Sequence, residues 1–262
     1  MKGIFPALMF SVSVLYGFSP RIQSTTVKYL SGRDTVTGYL STQAGDRIRP
    51  ALIVIHEWWG LNDWVKENAR ALAEQGYVTL AVDLYRGKSA ASPDEAHELM
   101  RGLPEDRAAR DLVAAFQFLR SQPNVDTARI GAIGWCMGGG YSLVSALQNP
   151  GLAASVICYG RLVTDSSTIA NIPCPLLGIF GGKDRGIPPE DVRAFESAVK
   201  RAGKSIQVAI YPDAGHAFMN PNNKGNPDHG DPGYRKDDAA DAWKKIDAFL
   251  RQNLKTTPSH EK

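Results

Sequence analysis

Two periodicities alternate along this chain. Short apolar runs at residues 51–55, 77–82, 129–134, 154–159, 175–180 and 205–211 have the length of strands, and the first is apolar throughout, as suits a strand buried on both faces. The segments between them carry helical spacing. Val65, Ala69, Leu72 and Ala73 predict a helix over 63–75 that Gly76 stops, while Ser92-Pro93-Asp94-Glu95 and Pro104-Glu105-Asp106 open two more, the second running through Leu119. Further helices are predicted from Met137 to about Asn149, over 189–201 and over 234–254, the last with Ala239, Ala242, Trp243, Ile246, Phe249 and Leu250 on its inner face. Residues 26–30 and 35–42 alternate in β fashion around Gly32-Arg33-Asp34, which predicts a hairpin at a sheet edge. Strands and helices thus take turns. The pattern predicts an α/β fold, a mostly parallel twisted sheet with helices on both faces and functional residues at the carboxyl ends of the strands.

Composition narrows this picture without redirecting it. A chain of 262 residues is long enough for one substantial core, and its net charge of +3, with both signs interspersed, points to no nucleic acid. A small-molecule substrate is expected. Lys2 and the apolar run from Ile4 to Phe18 have the form of a secretory signal, too short to span a bilayer comfortably. Residues 1–24 are therefore expected to be a signal peptide or N-terminal extension, 25–254 the folded domain and 255–262 a polar tail. The protein is expected to be secreted or periplasmic; Pro6 and the lack of an Ala-x-Ala site near Ser19 count against this, and the alternative is a cytoplasmic protein with a disordered or docked N-terminal extension. No later run is long enough to cross a membrane. The three cysteines are read as free: Cys158 ends one predicted strand and Cys174 begins the next, at opposite edges of a parallel sheet and beyond bridging reach.

The chemistry centres on Gly134-Trp135-Cys136-Met137-Gly138, an apolar strand that stops at a Gly-X-Cys-X-Gly turn and restarts as a helix. Such a turn displays its central side chain, and small neighbours let backbone pack on backbone there. A helix N-terminus beside Cys136 favours thiolate and offers N–H groups to an oxyanion, whereas the alternative reading makes the cysteine a small buried hydrophobe. Three more candidates follow strands. Glu57 comes after 51–55, Asp184 after Gly181-Gly182-Lys183, and His216 after Tyr211-Pro212-Asp213-Ala214-Gly215. The order nucleophile, acid, histidine is that of α/β-hydrolases, with Asp213 competing for the acid role. Residues 220–233 form a long polar loop, either a lid or a plain surface loop. Neither its Asp228-His229-Gly230-Asp231 cluster nor His56-Glu57 has the spacing of a metal site, so no metal is expected.

With these residues in place, the sequence resembles the dienelactone hydrolase family, of carboxymethylenebutenolidase type, over about 26–254. The resemblance is carried by His56-Glu57-Trp58-Trp59-Gly60-Leu61, Asp83-Leu84-Tyr85-Arg86, Gly134-Trp135-Cys136-Met137-Gly138-Gly139, Gly182-Lys183-Asp184 and Gly215-His216-Ala217-Phe218. It implies an α/β-hydrolase fold and a Cys136, His216, Asp184 triad that cleaves an ester or lactone through an acyl-enzyme, with no cofactor. It further implies that Glu57 helps activate the thiol and that the backbone N–H groups of Trp58 and Met137 form an oxyanion hole. Arg86 resembles a family arginine that holds a substrate carboxylate; a second arginine, four residues after the histidine, is replaced by Asn220. The alternatives are a broader esterase, thioesterase or peptidase of the same fold, or a non-enzymatic binding relative.

Overall fold

The computed structural model describes residues 21–226 and 231–255. Most of the leader, residues 228–230 of the polar loop's acidic cluster and the tail beyond Lys255 lie outside the described residues. Eight strands form one sheet in the order β1-β2-β4-β3-β5-β6-β7-β8. The hairpin is β1 (Ile22–Ser31) and β2 (Asp34–Gln43), antiparallel to each other, with β2 also antiparallel to β4. The remaining strands, β3 (Arg49–Ile55), β4 (Val78–Val82), β5 (Val125–Trp135), β6 (Ala154–Cys158), β7 (Leu176–Gly181) and β8 (Ile206–Tyr211), run parallel.

Every residue of β3, β4, β6 and β7 is buried, which explains why their sequences are almost wholly apolar. The covering helices are α1 (Asp63–Glu74), α2 (Pro93–Arg101), α3 (Glu105–Arg120), α4 (Met137–Gln148), the short α5 (Ser166–Ala170), α6 (Pro189–Arg201) and α7 (Lys236–Leu254). Right-handed crossovers to β4 and to β5 run in opposite directions from the sheet centre, so α1 lies on one face and α3 and α4 on the other. Trp135 of β5 stacks between Trp64 of α1 and Trp243 of α7, at 5.3 and 5.8 Å between ring centroids, which puts α7 on the α1 face. All three cysteines are free. The helix α5 has no counterpart in the sequence reading: five residues are too few for a periodic signal, and Asp165 starts it by accepting the Thr168 N–H.

The strand order reverses between β3 and β5. A crevice opens there at the carboxyl ends, because the chain leaving β3 departs to one side and the chain leaving β5 to the other. Glu57 and Cys136 stand at its two walls.

Candidate active site

Cys136 joins β5 to α4 with φ 55 and ψ −119, a conformation strained for any L residue. The neighbouring backbones leave it no alternative. A Cβ on Gly134 would strike the Gly138 carbonyl, one on Gly138 the carbonyls of Ile55 and His56, and one on Gly139 the Cys158 carbonyl. The helix can thus begin directly over the strand ends, and Cys136 N–H donates to the Cys158 carbonyl at 3.0 Å. The thiol is half-buried at the mouth of the crevice. Met137 opens α4, so its amide has no carbonyl partner within the helix.

The loops after β7 and β8 interlock in the same way. A Cβ on Gly181 would meet the backbone of Ala214 and Gly215, and the Lys183 N–H donates to the Ala214 carbonyl at 2.8 Å. This contact brings Asp184 to His216. Nδ1 of His216 donates to Asp184 Oδ2 at 2.7 Å, while Oδ1 of Asp184 accepts the N–H groups of Gly186 at 2.9 Å and Ile187 at 3.1 Å. A carboxylate can only accept, so Nδ1 carries hydrogen and Nε2 is left free on the side of the Cys136 sulfur, whose charge acts on the imidazole. Burial opposes charge on the imidazole, but the Cys136 sulfur and Asp184 carboxylate outweigh it and push His216 well above the usual histidine range. Asp213 is exposed instead, paired with Lys183 Nζ at 2.9 Å.

Glu57 is buried, with 1% exposure. Its Oε2 accepts from Asn220 Nδ2 at 2.6 Å, whereas Oε1 has no hydrogen-bond partner among the described residues. Burial raises its carboxyl to about 7, against the weaker opposing pull of Asn220 and His216. The preceding residue, His56, is a strap rather than a ligand. Its Nε2 accepts the Leu84 N–H at 3.2 Å and its Nδ1 donates to the Glu57 carbonyl at 2.6 Å, tying the loop after β3 to the loop after β4. Burial holds this imidazole below the usual histidine range, and hence neutral.

Arg86 is drawn elsewhere by its charge. Its Nη2 lies 3.0 Å from Asp34 Oδ2 and 3.4 Å from Asp111 Oδ2, so the guanidinium is committed to the β1–β2 hairpin and α3. Two tyrosines to which the sequence reading gives no role also lie here. Tyr159 follows β6 at φ 37, with its ring 5.3 Å from the His216 ring, and Tyr85 sits on the Asp83 turn with its hydroxyl 3.3 Å from the Met137 sulfur. Tyr159 could have been found as the residue before Gly160 at a strand's carboxyl end, a position equivalent to those of Glu57 and Asp184.

A thiol on a strained strand-to-helix turn, beside a histidine and a buried carboxylate at the switch point of a parallel sheet, defines the α/β-hydrolase class. The fold of an acylaminoacyl peptidase from Pyrococcus horikoshii superposes with a TM-score of 0.69 at 17% identity, over 92% of this chain and 43% of that one. The dienelactone hydrolase family model matches residues 36–254, and the chain belongs to that family. It is 35% identical over 219 residues, 78% of its length and 72% of the relative's, to a Methylorubrum extorquens protein named "Putative carboxymethylenebutenolidase". A dienelactone hydrolase-like promiscuous phosphotriesterase from metagenomic libraries superposes with a TM-score of 0.79 at 27% identity, over 89% of this chain and 99% of that one.

Proposed function

We propose that this family hydrolase cleaves a carboxylic ester or lactone, with Cys136 as nucleophile, His216 as base and then acid, and Asp184 orienting the imidazole. The observation that carries this reading is the 2.7 Å Asp184–His216 hydrogen bond together with a thiol displayed on the strained elbow, close enough to act electrostatically on that imidazole. In acylation, His216 Nε2 holds the thiol proton while Sγ bonds to the carbonyl carbon, and the N–H groups of Met137 and Trp58 face the developing oxyanion. The proton passes to the leaving alkoxide. In deacylation, Nε2 takes a proton from water, hydroxide displaces sulfur from the acyl carbon, and the thiol is restored.

The substrate class follows from charge. Asn220 is neutral, and the Arg86 guanidinium is compensated by Asp34 and Asp111, so the site favours neutral esters or lactones over acidic ones. The test is kcat/KM for an acidic lactone against its methyl ester, combined with acid quench and peptide mapping for the acyl group. The expected result is preference for the neutral partner and acylation of Cys136. A preference of a hundredfold for the acid would contradict the substrate reading, and an acyl group on another residue would contradict the nucleophile.

A further inference from the structure

The hold that Asn220 has on Glu57 is more definite than a surface contact. Asn220 is itself buried, at 4% exposure. Its Oδ1 accepts the backbone N–H of Asn222 at 2.9 Å, and a backbone N–H can only donate, so the amide has one orientation and Nδ2 must face Glu57. The backbone is pinned as well, with the Asn220 N–H on the Ala217 carbonyl at 3.0 Å and the Asn223 N–H on the Asn220 carbonyl at 2.9 Å. The Asn220 side chain therefore cannot turn away from the carboxyl group without breaking this turn.

Among the described residues no lysine or arginine pairs with Glu57 or contributes to its shift. The titratable groups that face it are His216 from the loop after β8 and Cys158 and Tyr159 from the end of β6, and among the described residues it has no ion pair. Burial, together with the Glu57 charge, pushes both the Cys158 thiol and the Tyr159 phenol up, so neither ionises in the neutral range. Within this group Glu57 is the one raised to about 7, while His216 is held well above the usual histidine range. His216 in turn is coupled to Cys136, so a charge on Glu57 reaches the thiol through the imidazole.

We propose that Asn220 is a positioning residue of the reaction: its anchored, uncharged amide fixes Glu57 by one oxygen without locking it as an anion, and so makes Cys136 reactivity follow the protonation state of Glu57. This rests on Cys136 being the nucleophile. A cation at position 220 would hold Glu57 ionised across the working range, and an apolar residue there would leave the carboxyl group with no donor at all. The neutral amide gives an intermediate state, in which arrival of substrate or a modest change of pH changes the charge beside the imidazole.

The test is the pH dependence of iodoacetamide alkylation at Cys136, read by peptide mass spectrometry in the full-length protein. Wild type should show an inflection near neutral pH that follows Glu57. Asn220→Lys should move that inflection down by about one pH unit, Asn220→Ala should move it up, and Glu57→Gln should abolish it and with it both shifts. Should Asn220→Lys not fold, Asn220→Ala alone and combined with Glu57→Gln decides the matter. Unchanged inflections in the Asn220 variants, or shifts that persist in the Glu57→Gln background, would overturn the proposal. The readout needs no ester. A Cys136 that alkylates no faster than Cys158 and Cys174 would count against the nucleophile itself, whereas a fast Cys136 with an unaltered profile would count only against Asn220.

Discussion

The two carboxylates of this site, Asp184 and Glu57, are built in opposite ways. Asp184 has both oxygens engaged, one by the backbone N–H groups of Gly186 and Ile187 and the other by His216. Glu57, equally buried, has one oxygen on a neutral amide and the other without a partner among the described residues. Three donors hold a carboxylate in one place, which suits a group that orients an imidazole. One donor and a bare oxygen give a group whose charge is easily changed. The contrast separates an orienting role from a responsive one.

Removing the orienting group should break the comparison most severely. Asp184→Asn should lower kcat by about 10²–10⁴-fold at every pH, because an amide that donates toward Nδ1 favours the wrong tautomer. Asp213→Asn, at an exposed carboxylate paired with Lys183, should change kcat less than about threefold. A larger loss in Asp213→Asn than in Asp184→Asn would reassign the acid.

The responsive group should show itself in stability. Glu57 has a folded value of about 7, above the 4.5 of a free glutamate, so its contribution is full below about 4.5 and is lost as pH rises through 7. Glu57→Gln should therefore raise the melting temperature at pH 8, by about 2–4 °C for each kcal/mol regained, and change it little at pH 4.5. Thermal unfolding at the two pH values checks this, and equal shifts at both would mean that Glu57 is not a buried titrating acid. Activity should fall while stability rises, as expected where function holds an unfavourable charge in place.

A smaller effect concerns Arg86. Its removal leaves the buried Asp111 with Ser31 as its remaining side-chain donor, so Arg86→Ala should cost about 1–2 kcal/mol of stability, discounted for the arginine's partial exposure, with KM for a neutral ester unchanged. A tenfold rise in KM for an acidic lactone with no loss of stability would instead give Arg86 the substrate-holding role that the resemblance implies.

Much of this molecule is legible in its sequence. The continuous apolar runs mark the parallel strands, because burial on both faces leaves no room for polar positions, and the elbow is visible because backbone-on-backbone packing admits only small residues at 134, 138 and 139. The order of Cys136, Asp184 and His216 then follows from strand ends. What is not legible depends on loops meeting in space. Nothing local to Asn220 indicates that it grips a carboxyl group 163 residues away. The pairing of Arg86 with Asp34 and Asp111 joins three elements, so a motif read as substrate-binding gives no sign that its charge is already matched. Likewise nothing local to His56 indicates that it ties two loops together.

The central claim is that Cys136 is the nucleophile of an ester-cleaving site. It is tested most directly by kcat/KM of Cys136→Ala on the best neutral ester, with the fold checked by circular dichroism. The elbow is set by its glycines and not by its thiol, so the variant should fold as wild type and lose at least about 10³-fold in kcat/KM. A folded Cys136→Ala that retains activity within tenfold of wild type would contradict the claim.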